Sequence, residues 1–157
     1  MVEKTRFGRT CEDFVAELIA AKTGYEVSNL NDVRYNHPVT DLLARDPKHF
    51  GEYEVSVKGK KSASWPAVRG ISEKNQYIIF VDIYKIESPN FYILNNQDWQ
   101  EVLSSILPNR DGGAEIINGA LEWNWVESGK NKKFRGSQLY TSDIEKYLNN
   151  WAVLPRA

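Results

Sequence analysis

Two short apolar runs in this chain carry acids and a lysine where phosphoryl chemistry needs them. Thr40-Asp41-Leu42-Leu43 puts an acid at the mouth of one run. Glu54-Val55-Ser56-Val57-Lys58 alternates polar and apolar residues along the next. Residues two apart on a strand point to the same face, about 6.5–7 Å from one another. Glu54, Ser56 and Lys58 therefore share a face, and Tyr53, Val55 and Val57 take the other. Two acids and a lysine converging at the rim of a sheet can bind a hydrated divalent cation and a phosphate.

The elements that must position them are readable from periodicity. Residues 8–23 have helical spacing, with Cys11, Phe14, Val15, Leu18 and Ile19 on the apolar stripe. On that wheel Glu12 lies at the border of the stripe, beside Ile19. It is the helical acid best placed to join Asp41 and Glu54 while staying partly exposed. Strands are expected at 25–27, 40–44, 52–58, 77–84 and 91–94, with a turn at 36–40 and a hairpin connection at 46–51. The run Tyr77 to Tyr84 is almost continuously apolar, as a strand buried on both faces requires. Asn96 is the expected cap of a helix running to Ile106, which Pro108 stops. Residues 109–120 read as loop, 121–126 as a strand, and Ser142 as the cap of a last short helix. The segments 59–70 and 128–136 read as basic loops. The order predicts an α/β fold with a central mixed β-sheet flanked by helices.

Bulk properties bound the chemistry. At 157 residues the chain is one domain with room for a real core. Its single cysteine, Cys11, excludes an internal disulfide and a cysteine-rich zinc site. Two histidines, His37 and His49, are too few for a histidine-based metal centre, and His37 reads as a turn residue before Pro38. No apolar run approaches the roughly 20 residues that span a bilayer. The opening residues lack an apolar signal core, so a cytoplasmic location and no membrane partner are expected. The net charge is −1, so any nucleic-acid affinity must come from local basic patches. Two stand out. Lys60, Lys61 and Arg69 follow Lys58, with Trp65 among them, and Lys130, Lys132, Lys133 and Arg135 form a second run. Both suit phosphate contacts, which give affinity without sequence information. Gln76, just before the apolar strand, is within reach of the same substrate. The later tryptophans, Trp99, Trp123, Trp125 and Trp151, read as core or interface residues.

With these pieces in order, the chain resembles the PD-(D/E)XK nuclease superfamily, the restriction-endonuclease-like fold. Gly8-Arg9-Thr10-Cys11-Glu12 resembles its first helix, Pro38-Val39-Thr40-Asp41 its first acidic strand, and Ser56-Val57-Lys58-Gly59 its acid-x-Lys strand. The resemblance implies a catalytic core over 8–95 and a Trp-rich C-terminal extension over 96–157. It also implies that Asp41 binds Mg²⁺ or Mn²⁺, that Glu12 supports the metal, and that Lys58 orients the attacking water or offsets charge on the phosphorane. The chain departs from the pattern at Ser56, where the family has an acid. Glu54, one pleat earlier on the same face, then takes the place of that carboxylate. The implied function is a Mg²⁺-dependent endonuclease acting on DNA, with restriction, defence and repair all open, and a homodimer to cut both strands. The alternatives are a catalytically inactive module of the same fold that binds nucleic acid or a protein, and an unrelated small α/β protein.

Overall fold

The structure is a computed structural model that describes residues 6–33, 40–109 and 113–157. The expected turn at 36–40, including His37 and Pro38, falls mostly outside the described residues. The architecture is mixed α/β, with a central mixed sheet and helices packed against it.

Helix α1 (Arg6–Thr23) ends at Gly24, whose positive φ of 77° turns the chain out and lets its N–H return to the Ala20 carbonyl at 3.0 Å. Strands β1 (Glu26–Asn29), β2 (Leu42–Arg45) and β3 (Glu52–Lys60) follow, with one helical turn α2 (Leu30–Val33) after β1. The hairpin between β2 and β3 is held by Asp46, whose carboxylate accepts the Lys48 and His49 amides. Strand β4 (Trp65–Val68) leads to β5 (Gln76–Asp82), and β6 (Asn90–Asn95) runs directly into helix α3 (Asn96–Ile106). The cap of α3 is Asn95 rather than Asn96. Its side chain accepts the Asp98 amide while Asp98 reaches back to the Asn95 N–H, a reciprocal capping box.

The central sheet has the order β1-β2-β3-β5-β6. Among the described strands of this sheet, only the β3–β5 pair is parallel. Along β5 the side chains divide by parity: Ile79 and Val81 pack with Cys11, Val15 and Ile19 of α1, while Ile78 and Phe80 pack with Trp99 and Leu103 of α3. Both faces are therefore covered, which explains the continuous apolar run of β5. Gly59 of β3 is needed for this packing, because a Cβ there would sit 2.6 Å from the Cys11 sulfur. Burial pushes the Tyr53 phenol up to about 12, among the rings of Tyr25 and Tyr77.

The C-terminal part adds β7 (Ala114–Ile117), β8 (Ala120–Glu127), β9 (Lys130–Arg135), β10 (Ser137–Leu139) and a short helix α4 (Thr141–Ile144). Strands β7-β8-β9 form a separate three-stranded sheet, and β10 pairs antiparallel with β4. Three of these strands lie in segments expected to be loops. In β4 the loop-like Ser and Pro content is overridden by Trp65 and Val68, which are buried in the core beside Leu139. In β7 the pairing with β8 supplies what local composition lacks. In β9 the lysines lie on an exposed sheet edge, where charge is tolerated and blocks further pairing. The last helix starts a residue before the expected Ser142 cap, with the Tyr140 N–H donating to Asp143 Oδ2 at 2.8 Å. No helix among the described residues is long and apolar enough to cross a membrane.

Candidate active site and basic pocket

The β2–β3 register sets Leu42 opposite Val55 and Leu43 opposite Glu54. Asp41 extends that ladder by one step, its N–H donating to the Val55 carbonyl at 3.0 Å. Its carbonyl in turn accepts the Leu30 N–H at 2.8 Å. The backbone is thus fixed on both sides, and the Asp41 side chain has little freedom. Its Oδ2 accepts the Val57 N–H at 2.8 Å. A buried carboxylate therefore rests on the amide directly preceding Lys58.

Glu54 is half-buried, and its Oε1 accepts the Thr40 hydroxyl at 3.2 Å and the Gln76 side-chain amide at 3.3 Å. Thr40 is the chain neighbour of Asp41, so Glu54 is tied to the segment that carries the other acid. Gln76 is itself oriented, because its Oε1 accepts the Ser72 and Glu73 amides at 3.1 and 2.9 Å. Sequence reasoning held Gln76 as a substrate contact, whereas here it orients Glu54. Ser56, between Glu54 and Lys58, is buried.

Glu12 is not at the border of its helix but fully inside, 1% exposed. The helix is rotated so that Cys11, Glu12, Val15 and Ile19 face inward, while Phe14 is exposed and stacks on Phe91. Burial of this acid is made tolerable by two amide donors, Asn29 and Asn31, each 3.1 Å from Glu12 Oε1. Asn29 pairs with Leu42, so Glu12 is linked through it to the strand that Asp41 opens. Sequence reasoning missed both asparagines and Thr40. The signal was a polar cluster at Asn29, Asn31 and Asp32, one helix-to-strand turn from the candidate acid. Among the described residues, no group of three or more His, Cys, Asp or Glu side chains comes together closely enough to hold a metal ion. Glu12, Asp41 and Glu54 thus do not close as a three-acid cage, and Glu12 sits under α1, which packs on the Val55 and Val57 face of β3.

Lys58 opens onto a pocket of about 440 Å³. Arg69, Arg135, Gly70, Ser72 and Asn118 line it with Lys58. The two basic runs, about seventy residues apart in sequence, thereby meet in one cavity. Three cations in a concave wall concentrate anions far better than the same charges spread on a surface. Arg135 is oriented by Glu122 at 3.2 Å, and Lys133 approaches the same carboxylate at 3.5 Å. The Asn124 amide, then Arg135 and Lys133, hold the Glu122 carboxyl below the usual carboxylate range. The far wall is stiff. Asn118 and Gly119 turn at positive φ, and Trp99 donates its indole N–H to the Gly119 carbonyl at 2.6 Å.

The other basic residues separate. Lys60 is not available to a phosphate: its side chain is 3% exposed and pairs with Asp82 at 3.5 Å. It also donates to the Thr141 hydroxyl at 3.0 Å and lies over the Trp65 ring at 4.5 Å. Lys60 shares the face of Lys58, but Trp65 of β4 and Thr141 of α4 cover it there. Lys61 lies over Phe7, at the start of α1. Lys130, Lys132 and Lys133 are exposed along β9. Trp65 is a core residue whose indole N–H donates to the Lys58 carbonyl at 3.0 Å, so it steadies the strand end that carries the lysine. His49 sits on the β2–β3 hairpin against Asp46, remote from these residues in the register.

Comparison with family models, with curated proteins and with solved structures finds no match for the chain.

Proposed function

We propose that the chain is a Mg²⁺-dependent endonuclease of the restriction-endonuclease-like class that hydrolyses DNA phosphodiester bonds. The observation that carries this reading is the seat of Asp41 on the amide before Lys58, with Glu54 tied to the Asp41 segment through Thr40. Mg²⁺ takes hard oxygen ligands and is usually held by one or two carboxylates plus waters, which the pair Asp41 and Glu54 fits. Mn²⁺ shares those preferences. Bound there, the ion supplies Lewis acidity toward the scissile phosphate.

The chain's own groups do the rest. The Val57 amide, Thr40 and Gln76 hold the two carboxylates in fixed orientation, so little reorganisation is needed on binding. Glu12 adds negative charge behind them, steadied by its asparagines. Lys58 offsets the charge that grows on the phosphate oxygens. Arg69 and Arg135 hold an adjoining phosphate in the pocket. One site cuts one strand, so double-strand cleavage calls for a second copy.

Nicking of supercoiled plasmid tests the reading. Wild type should nick with Mg²⁺ or Mn²⁺, and Asp41→Ala and Lys58→Ala should each lose about 10²-fold or more. Cleavage that persists in both variants would sink the assignment. A second reading is favoured by Ser56, buried where the family has an acid: an inactive module of the same fold that binds DNA. It predicts salt-sensitive DNA binding with no nicking, and a gain of nicking in Ser56→Glu would identify a disabled enzyme.

A further inference from the structure

The β8–β9 hairpin leaves the body of the protein. Every residue from Asn124 to Phe134 is exposed, and β9 is the edge of its sheet. Ser128 and Gly129 close the hairpin with φ of 52° and 75°, the tight two-residue turn that matches strand twist. Each strand extends about four residues beyond Trp123, a reach of about 13 Å. The DNA major groove is about 12 Å wide and 8.5 Å deep and admits a two-stranded ribbon of this kind.

The side chains suit that groove. Cross-strand partners share a face, so Asn124 lies beside Lys133, and Val126 beside Asn131. That face continues at its root into the Glu122–Arg135 pair, and Arg135 lines the pocket of Lys58. Asparagine amides and cationic tips are the groups that read base edges and hold phosphates. The opposite face carries Lys132 beside Trp125, which is 44% exposed, and Phe134, 46% exposed. Lysines on an edge strand discourage strand pairing, but that role requires neither solvent-facing aromatics nor a cationic track into the pocket.

We infer that the β8–β9 hairpin is a groove-inserting ribbon for duplex DNA, with Asn131 facing the bases, Lys132 and Lys133 facing the backbone, and Asn124 held on Glu122 at the ribbon root. The inference rests on the nuclease reading for its geometry but not on catalysis. The pocket and the ribbon root share Arg135, so a duplex whose phosphate occupies the pocket offers its adjacent groove to the ribbon.

The test is fluorescence anisotropy with full-length Asp41→Ala and duplexes of about 30 base pairs, over a salt series. If that variant does not fold, wild type without divalent cation replaces it. Adding Lys132→Ala and Lys133→Ala should weaken duplex binding about tenfold or more and lower the salt slope by about one per lysine. Asn131→Ala should leave the slope and flatten differences between duplex sequences. Unchanged affinity and slope in the lysine variants would overturn the ribbon. So would an equal loss for duplex RNA, whose major groove is too deep and narrow to enter, or a change in oligomeric mass with DNA affinity unaltered. Wild type that binds through the ribbon but never nicks would support this inference and overturn the nuclease reading.

Discussion

Lys60 and Asp82 offer the sharpest quantitative prediction, because they turn an expected phosphate contact into a structural one. The two side chains are 3% and 9% exposed and 3.5 Å apart. Replacing Lys60 by Met keeps the stem but leaves Asp82 as a buried carboxylate without its cation. Breaking a buried pair in this way costs about 3–5 kcal/mol. Asp82 keeps the Tyr84 N–H at 2.8 Å and the Thr141 hydroxyl at 3.3 Å, which argues for the lower end. About 3 kcal/mol in a chain of this size corresponds to a fall in Tm of roughly 6–12 °C. Adding Asp82→Asn to Lys60→Met removes the stranded charge but keeps an acceptor for Tyr84. It should recover much of the loss, a coupling of about 1–3 kcal/mol. The assay is urea and thermal unfolding of the wild type, both single variants and the double variant. DNA binding is measured in parallel where all remain folded. A Lys60→Met shift below about 2 °C, or no rescue by Asp82→Asn, would show that the pair does not hold the end of β3 as argued. DNA affinity that falls with Lys60→Met as steeply as with Arg69→Ala would return Lys60 to the substrate side.

Two further outcomes follow from the pocket. The folded-state pKa of Glu122 lies below its ordinary value of 4.5. Its contribution is therefore fully present above that pH and fades as pH falls through the lowered value. The stability gap between wild type and Glu122→Gln should accordingly be wide near pH 7 and narrow near pH 3, as read from urea midpoints. A gap that widens on acidification would contradict the pairing with Arg135 and Lys133. Gly119→Ala places a Cβ 1.8 Å from the Ile71 carbonyl oxygen at a φ of 77°. It should destabilise by at least about 3 kcal/mol, measured by thermal unfolding, and a near-neutral result would mean the Ile71 turn yields freely.

The parts of this structure that local pattern encodes were legible. The amphipathic spacing of residues 8–23 and the unbroken apolar run of β5 read correctly because each reports its own burial. The acids and Lys58 could be placed on common faces because strand parity is a local rule. What failed depended on partners distant in sequence. Trp65 and Val68 form a strand only because β10 lies beside them, and β9 is strand because β8 templates it despite its lysines. The orientation of Glu12 was misjudged because a wheel counts an acid as polar, while Asn29 and Asn31 make its burial affordable. Lys60 was grouped with Lys58 by proximity, yet its environment is set by Asp82 and Thr141 from other elements. The meeting of Arg69 with Arg135 was likewise invisible, since only the packing of the C-terminal sheet brings them to one cavity.

The pairing of β4 with β10 also sets when the basic pocket can close. Ser137 and Leu139 meet Val68 and Trp65 although about seventy residues of chain lie between them. A ribosome making this protein will have extruded Asp41, Glu54 and Lys58 long before Arg135 and β10 leave the exit tunnel. A nascent chain therefore lacks the Arg135 wall of the basic pocket until β9 and β10 have emerged and β10 has docked on β4.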